Sequence, residues 1–233
     1  MTTVAVRVDA SLQIGTGHVT RCLNLARALR QHRVQVVFIC RVQSGDLIEF
    51  IREEFTVLTL PRRDNDVKPQ DSSNLYSSWL GCDQLTDARE TLACLIDNNF
   101  LKIDWLVIDH YSLDRIWQTY LVDNIRLHNC VPPRVMVIDD LANRKHVCDI
   151  ILDQNYFGKS TFSRYDHLVP SSCLKFLGPE HLILSSDYVH FKKSVKPRAD
   201  LRRILVYFGG VDEFNLTYQI ARELSSHIYQ HLT

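Results

Sequence analysis

The amino-acid sequence predicts an α/β fold with a mainly parallel, Rossmann-like sheet. Short apolar runs alternate with longer segments in which apolar residues recur about every three to four positions, as on one face of a helix. Polar residues follow directly after several predicted strands, and a glycine-containing loop joins the first strand to the first helix. Strands that alternate with helices form right-handed β-α-β units, so neighbouring strands run parallel.

The first half of the chain supplies most of these elements. Val4, Val6 and Val8 alternate along Thr3–Asp9 and predict a strand, and a helical period begins at His18. The next predicted elements are a strand over Val34–Cys40, a helix over Asp46–Glu54, a strand over Phe55–Leu60, a polar surface loop over Pro61–Ser78 and a helix over Asp83–Asn98.

The second half is less regular. Its predicted elements are a strand over Trp105–Asp109, a helix capped by Ser112 and running to about Leu127, and strands over Arg134–Ile138 and Ile150–Leu152. Few periodic runs occur over Tyr156–Arg198. A strand over Arg203–Phe208, two glycines and a helix to the end complete the prediction.

These elements predict two domains of unequal completeness. Residues 1–155 form a Rossmann-like domain that carries the histidine loop, 156–198 form a linker, and 199–233 begin a second Rossmann-like domain. One strand and one helix cannot bury a core, so we expect the second domain to be truncated.

Composition excludes several classes of protein. The 27 basic and 27 acidic residues balance, which argues against a nucleic-acid or membrane-surface coat. No apolar run approaches the roughly 20 residues that span a bilayer, and no secretory signal is visible. The seven cysteines are scattered and contain no Cys-x-x-Cys pair, which predicts reduced thiols in a cytoplasmic protein rather than a zinc site.

The loop after the first strand is the strongest candidate site. Gly15 and Gly17 match part of a dinucleotide fingerprint, but Thr20 occupies the third glycine position, which disfavours NAD. The loop still leads into a helix N-terminus, where amide groups attract anions such as phosphate. His18 lies in the first helical turn, whose dipole favours the neutral imidazole, and Arg21 follows on the same face. We therefore predict His18 as a base, with a capping histidine as the alternative.

A second glycine loop follows the last predicted strand. Gly209 and Gly210 precede Asp212, Asn215 and Thr217, an arrangement that suits a diphosphate or a ribose. Asp212 or Asn215 capping the last helix is an equally good interpretation.

Other polar or aromatic groups are weaker candidates. Asp139 and Asp140 suggest a metal pair, but adjacent side chains on a strand end point apart, so a cap or turn is favoured. Trp79 suits either stacking on a sugar or burial as an anchor. His227 and His231 lack the glutamate of zinc-protease helices, and we set them aside.

The motifs taken together resemble a known family. They are Arg7–Ser11, Ile14–Val19, Arg21-Cys22, Ser78–Gly81, Asp109–Tyr111, Ile138–Arg144, Asp153–Asn155 and Gly209–Asp212. In this order they resemble the UDP-2,4-diacetamido-2,4,6-trideoxy-β-L-altropyranose hydrolases of pseudaminic acid biosynthesis, which supplies glycans such as those of flagellin. The resemblance implies a two-domain GT-B fold, related to the peptidoglycan glycosyltransferase that makes lipid II.

The resemblance also implies a reaction. Water attacks the anomeric carbon with inversion, without metal or cofactor, and His18 is the catalytic residue. Gly209 to Thr217 would hold the UDP pyrophosphate, and Gly15 and Gly17 would let backbone approach the sugar. From the residues themselves we predict further sugar contacts at Asp9, Trp79 and Tyr111, and Arg21 as another substrate-binding residue.

Two other functions remain open from the sequence. One is a glycosyltransferase of the same fold that uses a UDP-sugar donor, and the other is a nucleotide-sugar binding module without turnover. Because family members continue beyond the second glycine loop, we expect weak or absent activity for these 233 residues alone.

Overall fold

The computed structural model describes residues 1–63, 75–128, 131–195, 203–208, 212 and 214–225. Its centre is a parallel sheet of seven strands in the order β3-β2-β1-β4-β5-β6-β7. The strands are β1 (Thr3–Val8), β2 (Gln35–Arg41), β3 (Thr56–Leu60), β4 (Trp105–Asp109), β5 (Arg134–Ile138), β6 (Ile150–Asp153) and β7 (Leu174–Leu177).

Helices and short 3₁₀ turns connect the strands. The α-helices are α1 (Gly17–Gln31), α2 (Ile48–Arg52), α3 (Gln84–Asp97), α4 (Arg115–Leu127), α5 (Ser186–Lys192) and α6 (Leu216–Leu224). The 3₁₀ turns are Ser77–Leu80, Gly158–Ser163 and Pro179–His181.

Two apolar cores lie on opposite faces of the sheet. Val4 and Val6 of β1 pack with Leu23 of α1, whereas Ala5 belongs to the cluster that contains Trp117 and Leu121 of α4. Successive strand residues point to opposite faces, and all six residues of β1 are buried, so both faces of this strand are covered. This two-sided burial confirms the predicted Rossmann-like α/β class.

The strand order reverses direction at β1. Chain order places β2 and β3 on one side of β1 and β4 to β7 on the other, which makes the gap between β1 and β4 a topological switch point. Val8 pairs with Asp109, so the two strands end at the same level. Ligands of open α/β sheets bind in the crevice beyond such strand ends.

The structure corrects the sheet at its C-terminal edge. The predicted sheet stopped near residue 155, but β7 lies inside the stretch 156–198 and pairs with β6. Leu174, Lys175 and Phe176 are exposed, so this short edge strand shows no burial period that a sequence pattern could reveal. The strand predicted over Arg203–Phe208 was wrong: those residues form no strand and are largely exposed.

The cap of α4 is a second correction. Ser112 was the predicted N-cap, but the Asp114 carboxylate accepts the Ile116 amide at 2.7 Å and caps the helix instead. The Ser112 hydroxyl donates to the Tyr76 carbonyl at 2.5 Å. Ser112 therefore ties the loop before α3 to the end of β4. Most of the predicted loop over Pro61–Ser78 lies outside the described residues, and a 3₁₀ turn begins at Ser77.

Candidate active site

The candidate site lies at the switch point. The N-terminus of α1 faces the ends of β1 and β4, because the loop from Asp9 to Thr16 returns the chain across the strand ends. This topology brings His18 next to Asp109, although the two residues are 91 positions apart in the sequence.

His18 and Asp109 form a hydrogen-bonded pair. His18 Nδ1 lies 2.6 Å from Oδ1 of Asp109, whose side chain is completely buried. A carboxylate only accepts, so we assign the imidazole proton to Nδ1. Within the described residues no hydrogen bond involves Nε2 of His18. With a proton on Nδ1, the lone pair of the imidazole lies at Nε2, which is the geometry of a general base oriented by a carboxylate.

Arg21 holds the same carboxylate from the next helical turn. Its Nε donates to Oδ2 of Asp109 at 2.5 Å, and its Nη2 donates to Oδ1 at 2.7 Å. Burial alone raises the pKa of Asp109, but the neighbouring His18 and Arg21 outweigh it and hold that pKa well below its usual range. Asp109 is therefore ionised.

A second carboxylate completes the arrangement. Arg21 Nη1 donates to Oδ2 of Asp140 at 2.7 Å, and the Tyr111 hydroxyl donates to the same oxygen at 2.5 Å. Burial, followed by the Asp140 charge, raises the pKa of Tyr111 far above its usual range. The phenol stays protonated and remains a donor.

Three aromatic rings pack together beside His18. The Tyr111 ring meets His18 edge-on at a centroid distance of 4.5 Å, and Trp79 stacks on Tyr111 at 5.6 Å. Tyr76 packs against Trp79 at 4.6 Å. All three rings are partly exposed, so Trp79 is neither a fully buried anchor nor an isolated surface ring. These rings can contact the flat apolar face of a ligand beside His18.

The glycine loop before α1 is open. Gly15 has φ +78°, a conformation that favours glycine, and a Cβ at Gly17 would meet no atom within 4 Å. Thr16 at the N-cap makes no side-chain cap bond, and the first turn contains no acidic residue. The helix N-terminus thus offers amide groups beside open space, as the sequence predicts for an anion or a sugar.

Asp9 lies beneath the site. Its carboxylate accepts Arg7 Nη1 at 2.5 Å and the Arg41 amide at 2.7 Å, and its other oxygen faces His110 Nε2 at 3.2 Å. The residue is only 1% exposed. The carboxylate of Asp9 points into the protein interior. Its burial therefore disfavours the predicted contact between Asp9 and a sugar.

The second glycine loop is described only in part. Gly209 and Gly210 lie outside the described residues. The Asp212 carboxylate accepts the Leu216 and Thr217 amides at 2.8 Å each, which is the capping alternative that the sequence left open. Asn215 has φ +52° at the N-cap of α6. A role of these residues in binding UDP stays a prediction.

Sequence reasoning missed several members of the site. Asp109 and Asp140 were noted as strand-end carboxylates but were not assigned to the site. As expected for adjacent residues, Asp139 and Asp140 point apart: Asp139 is buried and accepts the Ala142 amide at 3.0 Å, whereas Asp140 faces Arg21. The Asp139 turn is the one the sequence favoured.

The described part of the chain offers neither a cluster of metal ligands nor a membrane-spanning helix. The described residues contain no group of three or more His, Cys, Asp or Glu side chains placed to hold a metal. No helix among them has the length and apolar character needed to cross a bilayer.

Comparison with known proteins relates the chain to a nucleotide-sugar hydrolase. No family model matches it. It is 29% identical to a UDP-2,4-diacetamido-2,4,6-trideoxy-β-L-altropyranose hydrolase of Campylobacter jejuni, over 95% of this chain and 65% of the relative. It is 26% identical to an uncharacterized protein of Methanocaldococcus jannaschii, over 96% of this chain and 40% of the relative. The chain thus spans less than two thirds of the length of either relative.

Proposed function

We propose that the chain is the catalytic part of a UDP-sugar hydrolase of the GT-B type, with His18 as the general base. The proposed substrate is UDP-2,4-diacetamido-2,4,6-trideoxy-β-L-altropyranose, and the products are UDP and the free sugar. The His18–Asp109 pair at 2.6 Å carries this proposal, and the relationship to the Campylobacter hydrolase supports the substrate class.

The pair supports a specific role for each residue. Nε2 of His18 takes a proton from water as the water oxygen attacks the anomeric carbon. Asp109 keeps the other proton on Nδ1 and stabilises the imidazolium that forms. The bond between the anomeric carbon and the UDP oxygen breaks on the opposite face, which gives inversion. UDP is a good leaving group, so a general base should contribute more to the reaction rate than a general acid would.

The surroundings suit a nucleotide sugar. The open N-terminus of α1 at Gly15 and Gly17 can stabilise negative charge. The rings of Trp79 and Tyr111 can cover the apolar face of a deoxygenated, acetylated sugar. Both features border His18, so one bound substrate would contact all of them.

Release of UDP from the proposed substrate tests the function. We expect the chain to release UDP slowly in the presence of EDTA, in line with the weak activity expected for these 233 residues, and His18→Ala to lower that rate by about 10²- to 10⁴-fold. His32→Ala is the matched control, because His32 is exposed just beyond the C-terminal end of the same helix. Release that is equally fast in His18→Ala would contradict the proposal.

Other outcomes would identify the alternatives. Turnover that requires a sugar acceptor would indicate a glycosyltransferase. Binding of the UDP-sugar in calorimetry, without any UDP release, would indicate a binding module.

A further inference from the structure

We propose that Asp140 is a positioning residue that holds Arg21 and Tyr111 in place on two sides of His18. Within the described residues, Asp140 makes no hydrogen bond to His18. It acts through its two partners, and its value for catalysis rests on the proposed hydrolase function.

One oxygen of Asp140 receives both partners. Oδ2 accepts Arg21 Nη1 at 2.7 Å and the Tyr111 hydroxyl at 2.5 Å, and Oδ1 accepts Asn155 Nδ2 at 2.9 Å. Asn155 also donates to Asp153 at 3.1 Å, so the carboxylate is fixed to the end of β6. Three donors from three different strand-end loops or helices therefore fix one side chain.

Each partner of Asp140 contacts either His18 or Asp109, the carboxylate that binds His18. Arg21 also donates from Nε and Nη2 to Asp109, which binds Nδ1 of His18. Tyr111 packs its ring edge-on against the imidazole at 4.5 Å. Asp109 thus sets the tautomer of His18, and the Tyr111 ring sets the tilt of the imidazole. Asp140 is linked to both, through Arg21 and through the Tyr111 hydroxyl.

The adjacent Asp139 is the more deeply buried of the two carboxylates and has different partners. Asp139 is completely buried, pairs with Arg144 at 2.8 Å and accepts the Tyr165 hydroxyl at 2.9 Å. Asp140 keeps 16% of its side chain exposed. Ordering a partly exposed carboxylate costs conformational entropy, and positioning of the site explains why three donors hold this one in place.

NMR tests the proposal without any turnover. In the wild-type chain we expect a strong nuclear Overhauser effect between the rings of His18 and Tyr111, and a slowly exchanging Nε–H of Arg21. Asp140→Ala should weaken the first severalfold and accelerate exchange of the second. Tyr111→Phe removes only the hydroxyl and should reproduce the weakened ring contact. Asp166→Asn removes a charge from an exposed pair with Lys175 and should change neither signal.

Kinetics then separates this proposal from the proposed function. If the wild type releases UDP, Asp140→Ala should lower kcat by about tenfold to a hundredfold and change KM less than about twofold. If it does not, the function fails while the NMR result still decides the role of Asp140. Asp140→Asn replaces Asp140→Ala if the alanine variant does not fold. Unchanged ring contact and arginine exchange in a folded variant would overturn the proposal.

Discussion

Replacement of Asp87 by asparagine should strongly destabilise the folded chain. Asp87 of α3 is completely buried and accepts Arg7 Nη2 at 2.7 Å, Arg41 Nη2 at 2.6 Å and Trp117 Nε1 at 2.8 Å. An amide in its place turns an NH₂ group toward at least one of these donors. The two buried guanidinium groups also lose a counter-charge.

The expected loss of stability depends on the ion pairs that Arg7 and Arg41 keep. Removal of one partner from a buried ion pair costs about 3–5 kcal/mol. Arg7 keeps Asp9 at 2.5 Å and Arg41 keeps Glu90 at 2.7 Å, so we expect the lower end, about 3 kcal/mol. For a domain of this size each kcal/mol lowers Tm by about 2–4 °C, so Tm should fall by about 6–12 °C.

Urea unfolding monitored by tryptophan fluorescence measures this loss. The midpoint should fall without a change in the slope against urea concentration. Asp166→Asn, which breaks the exposed pair with Lys175, is the control and should cost less than about 1 kcal/mol. A loss below about 1 kcal/mol in Asp87→Asn would refute the ionic network as a source of stability.

Three further predictions concern the site and its surroundings. Asp109→Ala should lower the rate of UDP release by about 10²- to 10⁴-fold, because His18 loses the group that keeps its proton on Nδ1; a fall of less than about threefold would contradict this role. Trp79→Ala should raise KM by about tenfold while Trp79→Phe changes it little, and steady-state kinetics with equal KM values would exclude stacking. Stability should fall as pH drops from about 6.5 toward 4, since burial lowers the pKa of His146 to about 4 and the unfolded chain binds the proton first. Between pH 7 and pH 5 the loss from this histidine is about 2 kcal/mol in urea melts, and His146→Gln should remove that part of the pH dependence.

The sequence predicts elements whose signal is local. The strands Trp105–Asp109 and Arg134–Ile138 are confirmed residue for residue, because both are apolar runs buried in the sheet. β7 was missed because a four-residue edge strand depends on its pairing with β6. Arg203–Phe208 has the same local pattern as a strand but, within the described residues, no strand to pair with.

The same contrast holds for the site. His18 was identified because the glycine loop that marks it is adjacent in sequence. Its partner Asp109 lies 91 positions away, and Asp140 lies 119 positions from Arg21. Only the strand order brings these side chains together, so no local spacing could assign them. Sequence reasoning predicted His18 as a base, and the topology places Asp109 and Arg21 beside it.

The position of solvent oxygen after one turnover tests the central claim most directly. The chain, in excess over the proposed UDP-sugar, would react in H₂¹⁸O, with His18→Ala in parallel, and both products would be analysed by mass spectrometry. We predict that the label enters the anomeric hydroxyl of the free sugar, and that His18→Ala forms almost no labelled sugar in the same time. Label in the phosphate of UDP, or equal labelling of the sugar by His18→Ala, would contradict attack on the anomeric carbon by water that His18 activates.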